Sequence, residues 1–315
     1  MLGRSGGLRL KSILPVLTVI GAILMIWVVA VVPMNMHLTA DQAQRDGFAV
    51  TPDTPMARQD YSGLGLSLRN PSLVGLTYVQ ERPRLPSPHQ VAVEMWKTIV
   101  MQRVTSKRSL VYHGWVTLSA TLLGFAMGTT LGITLAVGIV YSRAMDMSVM
   151  PWAIASQTIP ILALAPMIIV MLGAIGIHGL LPKSIISAYL SFFPVVVGMV
   201  KGLRSPDGMQ LDLLRTYYAS AAQGFWKLRL PASVPYLFAS LKIGISASLV
   251  GAIVAELPTG ARAGFGARML VGDQYGQPLV TWAALFAAAI TAAGLVGLFS
   301  LLERLTLRRM GMAGT

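Results

Sequence analysis

Several stretches of this chain are too long and too apolar for the interior of a water-soluble domain. Residues 12–33, 113–141, 147–173, 182–203, 234–257 and 279–302 are predominantly apolar. A helix needs about 20 such residues to cross the hydrocarbon of a bilayer. In lipid every backbone N–H and C=O must be paired internally, so runs of this kind become helices. The expected fold class is therefore all-α, a polytopic membrane protein with about six transmembrane helices. By length alone, 315 residues would allow two soluble domains. Charged residues make up only 12%, about half the share of an ordinary soluble domain.

The formal charge of +13 would point a soluble chain toward nucleic acid. No basic stripe with interleaved aromatics supports that, so no nucleic-acid partner is expected. In a membrane protein, Lys and Arg gather on the cytoplasmic side and meet anionic lipid. Arg4, Arg9 and Lys11 precede the first run, and Arg304, Arg308 and Arg309 follow the last. Both termini are thus expected in the cytoplasm. The first run is too long for a signal peptide and reads as an uncleaved helix.

Between the fourth and fifth runs lies a polar, amphipathic island, LDLLRTYYASAAQGFWKLRLPASVP, from Leu211 to Pro235. Leu211, Leu214, Tyr218, Ala221 and Phe225 recur at alternating steps of three and four, the period of one helical face. Ser205-Pro206 reads as a helix start, with Asp207 in the first turn. Leu230-Pro231 and Val234-Pro235 punctuate the entry into the next run. The island is expected to turn near Ala219-Ser220. Its first half should anchor on the chain's own spans, and Ala221 to Lys227 should reach further out.

This island resembles the cytoplasmic loop of the membrane-spanning permease subunits of bacterial ABC importers that work with a periplasmic binding protein. Their pattern is Glu-Ala-Ala, three residues, Gly, nine residues, an aliphatic, one residue, Leu-Pro. Here it falls on Asp212-Leu213-Leu214, Tyr218, Leu228 and Leu230-Pro231. The spacing is complete, while the acid is Asp, both Ala positions are Leu and the Gly is Tyr218. LPSPHQVAVEMW from Leu85, IPILALAPMIIVMLG from Ile159 and PASVPYLFASLKIGISASLVGAIVAEL from Pro231 are similar to the nitrate/sulfonate/taurine-type branch.

The resemblance implies a type I ABC importer permease fold in the bacterial inner membrane. It implies a second permease subunit, most simply a homodimer, two separate ATPase subunits and an extracytoplasmic substrate-binding protein. ATP and Mg would be bound by the ATPase, and no cofactor by this chain. Coupling would run through residues 205–232, carried by Asp212, Leu214, Tyr218, Ala221, Phe225, Leu228, Leu230 and Pro231. Asp212 is expected to cap, or to pair with a basic neighbour. Tyr218 cannot enter the left-handed region as cheaply as Gly, so a turn of another geometry is expected. Its ring would fill a partner's pocket or pack on the chain's own helices. The path would be reoriented by alternating access. The implied substrate is a small organic solute or anion, sulfonate- or nitrate-like, or else a heterocyclic vitamin precursor or pyrimidine.

Candidate pathway residues follow from polar groups inside apolar runs. The third run holds Pro151, Pro160 and Pro166, with Ser156-Gln157-Thr158 just before Pro160. Gln157, Thr158 and Pro160 either line the path or serve a kink needed only for packing. Glu256, ending the fifth run, is either a solvated helix end or an acid facing the path. Gly124, Gly128 and Gly132 form two overlapping GxxxG steps that let helices approach closely, inside the subunit or between subunits.

The expected organisation is a cytoplasmic leader and first helix at 1–33, and an extracytoplasmic loop at 34–110 with a short interfacial helix near Pro88. A five-helix core follows at 111–305, containing the 205–232 coupling stretch, and a cytoplasmic tail at 306–315. Residues 34–83 are polar, turn-rich and without a lasting helical period. They are either a partly disordered spacer, or a lid or docking surface for the binding protein. Residues 258–278 form a second outer loop with room for a short helix.

Catalytic motifs are missing. Lys never follows Gly, so the phosphate cradle of an ATPase cannot form. There is no Cys, and four scattered His give no metal spacing. The chain is not expected to be an enzyme. It offers a path without an energy source, which a partner would supply. A self-contained channel or secondary carrier is the alternative.

Overall fold

The computed structural model describes residues 5–258 and 261–312, with side chains from Leu14 onward. Arg4 of the basic leader, Thr259 and Gly260 of the second outer loop, and the last three residues of the tail lie outside the described residues. Thirteen α-helices are described: α1 (Ser5–Arg45), α2 (Pro55–Gln59), α3 (Gly63–Arg69), α4 (Pro88–Trp96), α5 (Leu110–Tyr141), α6 (Arg143–Ser156), α7 (Ile161–Ala174), α8 (Leu180–Leu203), α9 (Gly208–Thr216), α10 (Ala221–Gly224), α11 (Leu230–Glu256), α12 (Phe265–Gln274) and α13 (Pro278–Arg309). Among the described residues, five stretches are long and apolar enough to cross a membrane, or six if α6 and α7 count as one broken span. The fold is all-α and polytopic. The chain divides into two compact units, one through Gln102 with Met269–Ala284, the other Arg103–Arg268 with the residues from Leu285 on.

In the first unit, α1 runs twelve residues beyond the expected end of the first span, to Arg45. Its far end is one wall of a packed core of Met36, Ala40, Ala43, Val50, Leu66 and Leu73. Three buried polar side chains fix the chain that crosses it. Asn35 donates to Thr77 O (3.1 Å) and Leu85 O (2.9 Å) and accepts from Leu85 N (3.0 Å). Arg58 pairs with Asp41 (2.6 Å) and donates to Pro52 O (2.8 Å). Asn70 bonds the backbone N–H and C=O of Thr51 (2.8 and 2.7 Å). Residues 34–83 are therefore an ordered, packed element and no spacer. Their helices are too short, at five and seven residues, to display a helical period.

The second unit is built on α5, α8 and α11. In lipid no hydrophobic force drives helices together, so close van der Waals packing must do it. A Cβ on Gly128 would stand 2.9 Å from Ala188 O, and one on Gly132 2.9 Å from Phe192 O, both on α8. On the other side of α8, a Cβ on Gly202 would meet Ser233 Cβ of α11 at 2.8 Å. The glycine stripe thus packs inside the subunit. Phe125, Val195, Leu241 and Ile245 fill the space between these helices.

The expected third span, 147–173, is two helices of 14 residues, α6 and α7, meeting at 98°. Pro160 lacks an N–H and pushes Ile159 out of the helical region. The break is satisfied locally: Ser156 and Thr158 hydroxyls donate to Ala153 O and Ala155 O at 2.7 and 2.8 Å. Pro151 and Pro166 stay inside their helices. Each half is only ~21 Å long, too short to cross about 30 Å of hydrocarbon alone.

Candidate functional site

The island between α8 and α11 is a helix, a tight turn and a second helical stretch. Helix α9 begins at Gly208, two residues later than the Ser205-Pro206 signal places it. Asp207 is its N-cap, in a reciprocal capping box with Gln210. Asp212 pairs with Arg215 at 2.9 Å on an exposed face. The helix ends in a Schellman motif: Ala219 N–H bonds Leu214 O (3.0 Å) and Tyr218 N–H bonds Arg215 O (2.9 Å).

Tyr218 is the left-handed residue of that motif, with φ +49°. This corrects the expectation of a different turn geometry. The residue occupies the position where helices usually place Gly, and where the importer pattern also has Gly. Two backbone hydrogen bonds close the turn and hold a conformation that costs an L-residue roughly 1–2 kcal/mol. The ring is 96% exposed, so it does not pack on the chain's own helices.

Anchorage departs from the expected one at Phe225, while Leu211 and Leu214 of α9 are half-buried and Ala221–Gln223, Trp226 and Lys227 are exposed. No residue of α9 is buried, and Leu213 and Tyr217 are exposed beside Tyr218. Phe225 packs against the core of Ala136, Ile139, Val196, Met199 and Leu203 and meets Tyr141 edge-on. Ser220 starts α10 with a capping box to Gln223. Residues Phe225–Arg229 form a π-helical turn, and Leu230 N–H bonds back to Phe225 O. This wider turn precedes Pro231, the residue that cannot continue the ladder. Leu228 and Leu230 are half-buried, and Ala221 is exposed. The prolines expected to punctuate this entry leave the helical path unbroken from Ala221 to Glu256. Between the two halves lies a cleft of about 270 Å³ lined by Leu211, Leu214, Arg215, Tyr141 and Arg229.

Gln157, Thr158 and Pro160 sit together, exposed, at the break between α6 and α7. The Tyr189 hydroxyl of α8 donates to Ser156 O and braces that break.

For Glu256 the solvated helix end does not hold. The side chain is fully buried, with its oxygens accepting from Thr117 Oγ1 (2.9 and 3.1 Å), Gly266 N (3.0 Å) and Lys183 Nζ (3.4 Å). It is not a solvated helix end, and its carboxylate faces the protein interior. Lys183 and Thr117 were not singled out from sequence, although each is a polar residue inside an apolar helix, the signal that marked Glu256. A second pair, Lys242 with Glu303 at 2.7 Å, links α11 to α13.

Residues 128–312 match the family described as binding-protein-dependent transport system inner membrane component. The formylaminopyrimidine transport permease protein ThiX of Halalkalibacterium halodurans is 32% identical over 58% of this chain and 68% of its own length. The riboflavin transport system permease protein RibX of Chloroflexus aurantiacus is 32% identical over 71% of this chain and 80% of its own. The nitrate import permease protein NrtB of a Synechocystis species is 27% identical over 71% and 78%. With its spans, its broken helix and this match over more than half its length, the chain belongs to the binding-protein-dependent inner-membrane components: it is the permease subunit of an ABC importer.

Proposed function

We propose that this permease couples to a separate ATPase through residues 205–232 and carries a small heterocyclic solute. The observation that supports the coupling is the α9–α10 hairpin. It is anchored at Phe225, exposed at Met209, Leu213, Tyr217, Tyr218 and Trp226, and rooted in α8 and α11, two of the three helices that pack the second unit. A partner that grips Tyr218 and α9 moves those helices through a short, capped connection. Asp212, Leu214, Ala221, Leu228, Leu230 and Pro231 complete the coupling element: Asp212 steadies α9, Leu214 lines the cleft, and Leu228 to Pro231 pass force into α11.

The path is formed with a second permease subunit, taken as a second copy of this chain, and opens to either side in turn as ATP binding closes the partner dimer. Gln157, Thr158 and Pro160 line it where α6 and α7 break, because freed backbone groups are tolerated in a membrane only beside protein or a wet cavity. An extracytoplasmic binding protein delivers the solute, and both termini are cytoplasmic. Two observations favour a heterocycle over a strongly anionic substrate. Lys183 and Lys242, inside the spans, are each paired with a carboxylate. The relatives named for a formylaminopyrimidine and for riboflavin are 32% identical, the one named for nitrate 27%.

The test is reconstitution with the partner ATPase and binding protein, measuring uptake of labelled formylaminopyrimidine, riboflavin, nitrate and a sulfonate. ATP-dependent uptake of a heterocycle is expected. Uptake by the chain alone, without ATP, would overturn the coupling and favour a channel or carrier.

A further inference from the structure

Three N–H groups at the start of α12 are capped by side chains from other helices. Gly264 N–H donates to His113 Nδ1 (3.0 Å), Phe265 N–H to Thr117 Oγ1 (2.8 Å) and Gly266 N–H to Glu256 Oε2 (3.0 Å). The first N–H groups of a helix have no partner within it and are usually met by a local Ser, Thr, Asp or Asn. Here two of the caps come from α5 and one from the end of α11. His113 accepts through Nδ1, so its Nε2 carries the proton and donates to Lys107 O at 2.9 Å. Thr117 accepts from Phe265 N–H and donates its own O–H to Glu256. The backbone lies directly against the carboxylate: Gly264 has φ +125°, and a side chain there would overlap the Glu256 carboxyl group. Lys183 on α8 closes the cluster, with Nζ 3.0 Å from Ala263 O and 3.4 Å from Glu256.

A buried ion pair does little for stability, since apolar residues of similar volume often do as well or better. An apolar residue cannot, however, accept a hydrogen bond. We propose that Glu256 is a positioning residue. With Thr117 and His113 it holds residues 263–266 to α5 and α11, and Lys183 neutralises it. Residues 263–266 then follow the core helices as a rigid extension of them. That last consequence rests on the transport reading; the clamp itself does not, and its test involves neither substrate nor ATPase.

The experiment is amide hydrogen exchange of the full-length protein in lipid nanodiscs, read on peptides covering 261–268. In the unaltered protein the Gly264, Phe265 and Gly266 amides should be protected. E256L/K183M removes both charges and the acceptor, and should speed their exchange roughly tenfold, the effect of losing a helix cap. E256Q/K183M keeps an acceptor without charge, and should stay within about twofold of the unaltered protein, a rescue that loss of packing alone would not give. In both, protection of α5 and α8 should be unchanged. T117V, nearly isosteric, gives an independent reading and should release Phe265 even if the leucine variant does not fold. Unchanged protection in T117V or in E256L/K183M would overturn the proposal. So would equal loss in E256Q/K183M and E256L/K183M, since charge and not acceptance would then hold the loop.

Discussion

The ring of Phe225 meets the ring of Tyr141 edge-on, with centroids 6.0 Å apart and planes at 67°. One residue belongs to the hairpin between α8 and α11, the other ends α5. The contact fixes the hairpin to the core at its second half, while no residue of α9 is buried.

Replacing Phe225 by Ala should loosen that root. An edge-to-face pair contributes roughly 0.5–1.5 kcal/mol beyond the area it buries. The variant should insert normally and still bind the ATPase through α9, with substrate-stimulated hydrolysis reduced several-fold. Phe225→Leu, which keeps most of the packing, should lie between. Stimulated hydrolysis in proteoliposomes checks this, and full stimulation in the Ala variant would place the root elsewhere.

Tyr218 combines a strained backbone with an exposed ring, and two substitutions separate them. Tyr218→Gly relieves the left-handed residue and should stabilise the turn by roughly 1 kcal/mol. Tyr218→Ala keeps the strain and loses the ring. If the ring fills a partner's pocket, both should weaken ATPase association by at least about tenfold, the usual cost of truncating an aromatic hot spot. Association measured by light scattering or pull-down decides. Unweakened binding of the Gly variant would assign the position to backbone geometry alone.

Gly128→Leu should break the α5–α8 contact, where even a Cβ stands 2.9 Å from Ala188 O. Overpacking of this kind costs roughly 1–3 kcal/mol or more. Gly294 of α13 has nothing within 4 Å, and Gly294→Ala should be neutral or stabilising by about 0.5–1 kcal/mol. Thermal unfolding of the two variants in detergent should therefore move in opposite directions.

The Lys242–Glu303 pair is partly shielded, with side chains 28% and 19% exposed. Removing one partner leaves a charge with poor solvation. Lys242→Met alone should destabilise by roughly 2 kcal/mol, and Lys242→Met with Glu303→Met should recover most of it. A double-mutant cycle on unfolding gives the coupling, and additive losses would show that the pair contributes nothing.

The chain is free of Cys, so topology can be read by single-Cys labelling. Asp60→Cys, on the exposed end of α2, should react with an impermeant maleimide from outside the cell. Labelling only after the cytoplasmic face is opened would invert the proposed orientation.

What the sequence determined by itself was whatever depends on a residue's own backbone and its near neighbours. Apolar length set the spans, because an unpaired amide in lipid is too costly to leave exposed. Three prolines announced a distortion somewhere in the third run, because each removes a ladder donor, but only the structure decided that Pro160 breaks it while Pro151 and Pro166 stay inside helices. The four-residue glycine spacing announced a close helix contact, and the importer pattern located the hairpin. Only the tertiary structure decided which surfaces met. Gly128 chose α8 within its own subunit. Met36 of α1 and Leu73 joined a core whose other wall no local period reveals, because α2 and α3 are shorter than the window in which a period can be seen. Glu256 took partners at Thr117 and Lys183, 139 and 73 residues away. Tyr218 entered the left-handed region because the hydrogen bonds of Tyr218 and Ala219 closed around it, against its intrinsic preference. Preferences of the backbone are local and legible; the choice among distant partners is made by packing, and exists only once the helices have met.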